Sequence, residues 1–317
     1  MKILYNKTLA EYTSWGVGGR VTKLYIPDSI TELSTFLEGL ERDVVIEWIG
    51  RGSNLLVRDG GVDGVVILLR EALQRIDKVQ QMDALESKIG KVLVRAEAGV
   101  SLAKLSRVIR IDDSAHEGQQ STLSFLAGIP GTLGGALAMN AGAFGSEIWS
   151  WIDEVEVMQR SGKIVKRKAD EYNIGYRSAE RINRAETEED EWFVAATLVA
   201  ATDTVTNTSS LAASVNEQLK QRNRDQPMGE KSCGSVFKNP PNDFAGRLIE
   251  SAGLKGKSVG GAAISARHAN FIINSGDATA EDIEQLMDLI EQQVMDTHGV
   301  KLQREVRVIG SRYGDEK

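Results

Sequence analysis

The chain has 317 residues, a formal net charge of −7, one cysteine and three histidines. That length allows two or three domains with a sizeable core, and the acidic balance speaks against a nucleic-acid binder, which carries a basic face or stripe. Cys233 alone excludes an internal disulfide, His116, His268 and His298 add up to a poor metal set, and no apolar run suits a signal peptide or a bilayer span. The expectation is a cytoplasmic protein, monomeric by default, with no metal, membrane or nucleic-acid partner.

In chain order, the spacing predicts a helix over 30–40 and strands over 44–49, 54–58 and 65–69, with Asp59-Gly60-Gly61 as a turn. A second region starts near Val79: a strand over 91–98, a helix capped by Ser101 and running to Ile111, a glycine-rich segment, and a hairpin from 152–159 through Ser161-Gly162 to 164–166. A buried strand over 193–200 follows. The threonine-rich stretch 202–210 marks a boundary, beyond which 211–224 and 279–298 read as amphipathic helices, the latter opened by Thr279 with Asp282 three residues on. The closing run 300–310 reads as a strand returning to the first unit. The expected units are 1–75 joined by 301–317, then 76–205, then 206–300, in an α/β or α+β fold and not a bundle. The charge runs 163–168 and 186–191 read as solvated hairpin and loop surface.

The most informative stretch is 128–145, Gly-Ile-Pro-Gly-Thr-Leu-Gly-Gly-Ala-Leu-Ala-Met-Asn-Ala-Gly-Ala-Phe-Gly. Glycine forfeits side-chain burial, so a run of it suits either a structural turn or backbone approached by a ligand such as a nucleotide cofactor. Neither the P-loop pattern nor Gly-x-Gly-x-x-Gly between strand and helix is present. A second turn, Gly50-Arg51-Gly52-Ser53-Asn54, offers main-chain N–H groups suited to a pyrophosphate, or is a β-turn satisfying itself. Two donor-rich turns in neighbouring regions favour one elongated cofactor between them, and a flavin dinucleotide is long enough.

Cys233-Gly234-Ser235-Val236-Phe237-Lys238-Asn239-Pro240-Pro241 could hold a phosphate or donate a proton, with Cys233 itself read as an inert small hydrophobe. Tyr176-Arg177 after Gly175 offers a planar fork for a carboxylate, or a stacked surface arginine. Glu305-Val-Arg307 puts two charges on one face of a strand, a pattern also common in surface salt bridges.

Taken in order, Thr13-Ser-Trp-Gly-Val-Gly-Gly19, 50–57, 128–145, Tyr176-Arg177, 234–240, Ser265-Ala-Arg-His-Ala-Asn-Phe271 and Glu305-Val-Arg307 resemble the UDP-N-acetylenolpyruvoylglucosamine reductases, flavoenzymes of bacterial cell-wall precursor synthesis. The resemblance spans nearly the whole chain. It implies a two-part FAD-binding unit of the vanillyl-alcohol-oxidase type plus a C-terminal α+β substrate domain. It also implies non-covalent FAD, NADPH as reductant, and reduction of UDP-N-acetylglucosamine enolpyruvate to UDP-N-acetylmuramate. By the same resemblance Ser235 is the proton donor, and Arg177 with Glu305 stands beside the enolpyruvyl carboxylate. Cofactor positions map to Gly50, Arg51, Gly52, Ser53, Asn54, Leu55, Gly128, Ile129, Pro130, Gly131, Gly134, Arg222 and Arg307. Substrate positions map to Tyr176, Lys238 and Asn239.

Two departures stand out. Ala179 occupies a position where many relatives carry serine, removing a supporting hydroxyl, and no tyrosine lies between Tyr176 and Tyr313, which resembles the branch without a substrate-capping tyrosine loop. The competing readings are another flavoenzyme on the same fold, such as an oxidase of a small alcohol, and a nucleotide-sugar sensor without catalysis. His116, the one candidate for covalent flavin attachment, sits in a polar stretch and reads as a surface histidine.

Overall fold

The computed structural model describes residues 2–82, 91–108, 123–185, 188–201, 217 and 220–314. The N-terminal unit contains β1 (Lys2–Thr8), β2 (Arg20–Ile26), α1 (Ile30–Glu38), β3 (Ile46–Ile49), β4 (Leu55–Val57) and β5 (Val62–Leu68). Its sheet runs β1-β2-β5-β3, antiparallel at β1–β2 and parallel elsewhere. Ser29 caps α1 by accepting from the Glu32 N–H, and Leu33 and Leu37 enter the core, each contributing about 1.5–3 kcal/mol of burial. β1 and β2 went unread in the sequence because β1 is an edge strand whose Lys2, Tyr5 and Asn6 face solvent. The Asp59 turn is present, yet the strands it joins do not pair with each other: β5 joins the sheet, while β4 pairs in parallel with a strand near the C-terminus.

The second unit is an antiparallel sheet, ordered β11-β10-β14-β7-β6, built from β6 (Ile76–Met82), β7 (Lys91–Glu97), β10 (Ile152–Gln159), β11 (Ile164–Lys168) and β14 (Glu191–Ala201). Between β7 and β10 lie α2 (Leu102–Val108), α3 (Leu133–Ala138) and the two-residue strands β8 (Gly142–Ala143) and β9 (Ser146–Glu147). Ser101 caps α2 through the Lys104 N–H at 3.3 Å; the last residues of that predicted helix lie outside the described residues. A short hairpin, β12 (Tyr172–Gly175) with β13 (Ser178–Arg181), projects from this unit. The N-terminal and second units share a core in which Ala98, Met158, Val194 and Ala195 pack with Val66, Ile67 and Leu68.

The C-terminal unit holds α4 (Ala245–Ser251), β15 (Ser258–Val259), β16 (Ala262–Ile264), β17 (Ile272–Asn274) and α5 (Ala280–His298), and is followed by β18 (Arg307–Ile309). Most of the predicted helix 211–224, and the predicted boundary at 202–210, lie outside the described residues; 220–225 are helical. The predicted strand 300–310 shortens to β18, the partner of β4, because Leu302 and Val306 turn into the core of the C-terminal unit.

The Thr13–Gly19 motif is the clamp between the ends of the chain. Trp15, fully buried, donates from Nε1 to the Ile272 carbonyl at 2.7 Å, and its own carbonyl accepts from Asn274 Nδ2 at 2.9 Å. Nearby, Arg58 grips Glu284 in α5 through two bonds of 2.9 and 2.8 Å, and the Asp59 carboxylate accepts from the first N–H groups of α5. The Arg58 hydrogen bond, followed by that of Arg312, outweighs burial and holds the Glu284 carboxyl below its usual range. The stabilisation is therefore complete above the carboxyl's unfolded value, about 4.3, and is lost as pH falls through the lowered folded value. Glu284→Ala should destabilise the protein by about 3 kcal/mol in urea unfolding at neutral pH, since it removes the buried carboxylate that pairs with Arg58, Arg304 and Arg312, and the difference should shrink in acid.

Candidate active site

A cavity of about 510 Å³ lies where the three units meet, within the roughly 300–1,000 Å³ common for small-molecule sites. One wall is the turn between β3 and β4, contributing Gly50, Arg51, Gly52, Ser53, Asn54 and Leu55. The opposite wall is the glycine segment, with Gly128, Ile129, Pro130, Gly131 and Gly134. The two turns touch, for Ser53 Oγ donates to the Pro130 carbonyl at 3.1 Å. Gly52 adopts φ +67 against the Tyr12 carbonyl, where any side chain would collide. Gly131, at φ +148, opens onto the cavity: a β-carbon there would meet only Ser53 Oγ, at 3.6 Å.

These walls fit a dinucleotide flavin. The N–H groups of Arg51, Gly52, Ser53 and Asn54 donate to no acceptor among the described residues, forming the concave donor set that binds anions. Trp48 Nε1 and Thr132 Oγ1, both of lining residues, are buried without a protein partner. Arg51, Arg177, Arg222 and Arg307 line the cavity, a local positive field within an acidic chain. Burial, then the nearby charge of Arg177, lowers the Arg222 pKa; its guanidinium donates to the Gly128 carbonyl and, at 2.7 Å, to Gln226. Arg307 pairs with Glu47 at 2.6 Å, whose carboxyl is pushed up by burial against the pull of that arginine.

Arg177, Ser235 and Glu305 line the same cavity. Arg177 sits at the tip of the β12–β13 hairpin with φ +58, an uncommon conformation for a residue with a side chain. Its Nε donates to Glu305 Oε1 at 2.6 Å, and both side chains are largely buried. Burial raises the Glu305 pKa, and the charges of Arg177 and Lys238 offset this only in part. Ser235 and Glu305 are placed by one contact, the Glu305 N–H donating to the Val236 carbonyl at 2.8 Å. The Ser235 hydroxyl makes no hydrogen bond to the described residues.

The Ser265–Phe271 motif is the scaffold of this segment. Buried Asn270 accepts from the Phe237 N–H at 3.0 Å and donates to the Phe237 carbonyl at 2.8 Å, while its own carbonyl receives the Val236 N–H. Its contribution went unread, because a buried amide pairing with main chain leaves no local sequence pattern. Cys233 behaves as the small hydrophobe expected: burial pushes its thiol up to about 12, and Sγ donates weakly to the Leu55 and Gly52 carbonyls.

Some residues fall elsewhere. Tyr176, Lys238 and Asn239 are not among the cavity-lining residues. Tyr176 is exposed with its ring beside the Arg177 guanidinium, Lys238 is near enough to act on Glu305, and Asn239 Oδ1 accepts from the Ala245 N–H at 3.1 Å. Ala179 does line the cavity and brings no hydroxyl. The reading of the charge runs as solvated surface holds for Lys163, Lys166, Lys168 and Asp190, which are exposed, and fails for Arg167 and Glu191, whose side chains are buried and pair at 2.9 Å. A run of like charge counts its neighbours in sequence, and Arg167 and Glu191 meet across two different strands, β11 and β14. Residues 186–187 and His116 lie outside the described residues.

The fold and this site define an FAD-dependent oxidoreductase. The FAD binding domain family matches residues 22–167, and the C-terminal domain of UDP-N-acetylenolpyruvoylglucosamine reductase matches residues 226–309. The UDP-N-acetylenolpyruvoylglucosamine reductase of Coxiella burnetii is 45% identical over 95% of this chain and 94% of its own. That of Legionella pneumophila is 44% identical over 97% and 94%. The crystal structure of the enzyme from Thermus caldophilus superposes with a TM-score of 0.71 at 30% identity, covering 97% of this chain and 98% of that one. The chain belongs to the UDP-N-acetylenolpyruvoylglucosamine reductase family, with the α+β fold expected: an FAD-binding unit and a separate C-terminal domain.

Proposed function

We propose that the protein reduces UDP-N-acetylglucosamine enolpyruvate to UDP-N-acetylmuramate, with NADPH as the source of electrons, in peptidoglycan precursor synthesis. The observation that carries this reading is the Arg177–Glu305 pair at 2.6 Å sharing a cavity with Ser235 and the two glycine turns. When bound, FAD would supply the hydride chemistry, carrying two electrons from NADPH to C3 of the enol ether. Gly50–Leu55, Gly128–Gly131, Gly134, Arg222 and Arg307 are the residues that would hold it.

Negative charge develops at C2 and the adjoining carboxylate, and the residue types suit that charge. Arg177 neutralises the carboxylate in a partly dry site, where a fixed cation is worth more than in water. Glu305, its pKa raised by burial, is inclined to the protonated form, which donates a hydrogen bond where an ionised carboxylate would repel. Ser235, with its hydroxyl uncommitted to the protein, delivers the proton to C2. Lys238, close enough to Glu305 to act on it, serves the substrate's diphosphate, while Tyr176 stacks beside the Arg177 guanidinium. All groups come from one chain, so a monomer suffices. A UDP-linked substrate and NADPH place the reaction in the cytoplasm, and its product links it to cell shape and division.

The purified protein should release its flavin on denaturation and, without oxygen, oxidise more than one NADPH per flavin only when the enolpyruvyl substrate is present. Oxygen-dependent oxidation of a small alcohol, with no response to the UDP-sugar, would favour an oxidase instead.

A further inference from the structure

Asn140 is fully buried and has no part in the chemistry above. It follows α3 near the end of the cofactor-wall segment, with φ +40, a conformation that asparagine tolerates better than most residues. Its Nδ2 donates to the Gly175 carbonyl at 3.0 Å and to Glu147 Oε2 at 2.8 Å, and these two acceptors fix which way the amide faces. Oδ1 is left buried without a partner. Leaving a buried acceptor unpaired is costly, which is reason to ask what the amide secures.

What it holds is the residue before Tyr176-Arg177. Gly175 pairs with Ser178 to close the two-residue turn of the hairpin, so the Asn140 bond grips that turn at its base. The far end of the hairpin is fastened separately, by Tyr172 on Glu191 at 3.3 Å, Arg181 on Glu188, and the Ile182 N–H on the Glu171 carbonyl at 2.8 Å. Loss of the Asn140 bond therefore frees the tip while the hairpin stays paired.

We propose that Asn140 is a positioning residue: its bond to Gly175 sets Arg177 against Glu305 and ties the cofactor wall to the substrate-carboxylate end of the site. The inference rests on the proposed reduction of the enolpyruvyl substrate. Asn140→Gly keeps a residue at ease with positive φ and removes the amide. It should retain flavin and be reduced by NADPH within about twofold of wild type, while oxidation of the reduced enzyme by the substrate slows about 10- to 100-fold, as misplacement by about 1 Å does. In an Arg177→Lys background the same change should add less than about threefold, since coupled residues act through one contact. Should Asn140→Gly fail to accumulate, Asn140→Asp, which turns a carboxylate oxygen toward the Gly175 carbonyl, should show the same split. Equal losses in both half-reactions, or losses that multiply in the Arg177→Lys background, would overturn the positioning role. A wild-type enzyme inert toward the enolpyruvyl substrate would instead remove the function on which it rests.

Discussion

Ser235→Ala should slow formation of the reduced sugar by about 10²- to 10⁴-fold, the usual contribution of a positioned general acid, while flavin reduction by NADPH stays near wild type. The split follows from geometry. Ser235 lines the cavity with an uncommitted hydroxyl, and the main chain around it is fixed by Val236 on Asn270 and on Glu305, so removing one oxygen leaves its surroundings in place. Rapid mixing resolves the two half-reactions. Equal slowing of both would mean that Ser235 organises the flavin site and is not the proton donor.

Arg177→Ala should reduce kcat/KM for the enolpyruvyl substrate by about 10²- to 10³-fold, the scale seen when a charge-stabilising donor is removed. Flavin content should hold, because Arg177 stands on the hairpin and not on either glycine turn. The variant also changes the pH profile in a defined direction. Arg177 is the largest influence that lowers the Glu305 pKa, with Lys238 acting in the same sense, against burial that raises it. Without the guanidinium, Glu305 keeps its proton to higher pH. If the protonated form serves the reaction, the alkaline limb assigned to Glu305 should move to higher pH in Arg177→Ala. Were the ionised carboxylate the working form, Glu305 would instead set the acid limb, and it is that limb that would move to higher pH.

The residues that line the cavity were more legible in the sequence than the fold around them. The two glycine turns were visible because they depend on residue type, backbone without side chains, whereas Arg177, Ser235 and Glu305 stood out through the family resemblance and not through their own pattern. All line one cavity. Helix α5 was equally plain, its Thr279 and Asp282 capping each other across a regular apolar stripe. What went unread depends on distant partners. Asp59 looked like turn chemistry and proved also to cap α5, 221 residues away, and Glu191 looked like solvated charge and proved buried against Arg167. Asn140 and Asn270 gave no local sign of holding Gly175 and Phe237. The strand expected over 300–310 contracted to three residues because its first half serves another core.

The central claim is that hydride and proton are delivered to one enolpyruvyl group in this cavity. Its most direct test is an anaerobic single turnover, in which the NADPH-reduced enzyme, freed of excess nucleotide, is mixed with UDP-N-acetylglucosamine enolpyruvate while flavin absorbance and product are followed together. One UDP-N-acetylmuramate formed for each flavin reoxidised is the result expected. Flavin that stays reduced until oxygen is admitted, with the UDP-sugar unchanged, would contradict the account.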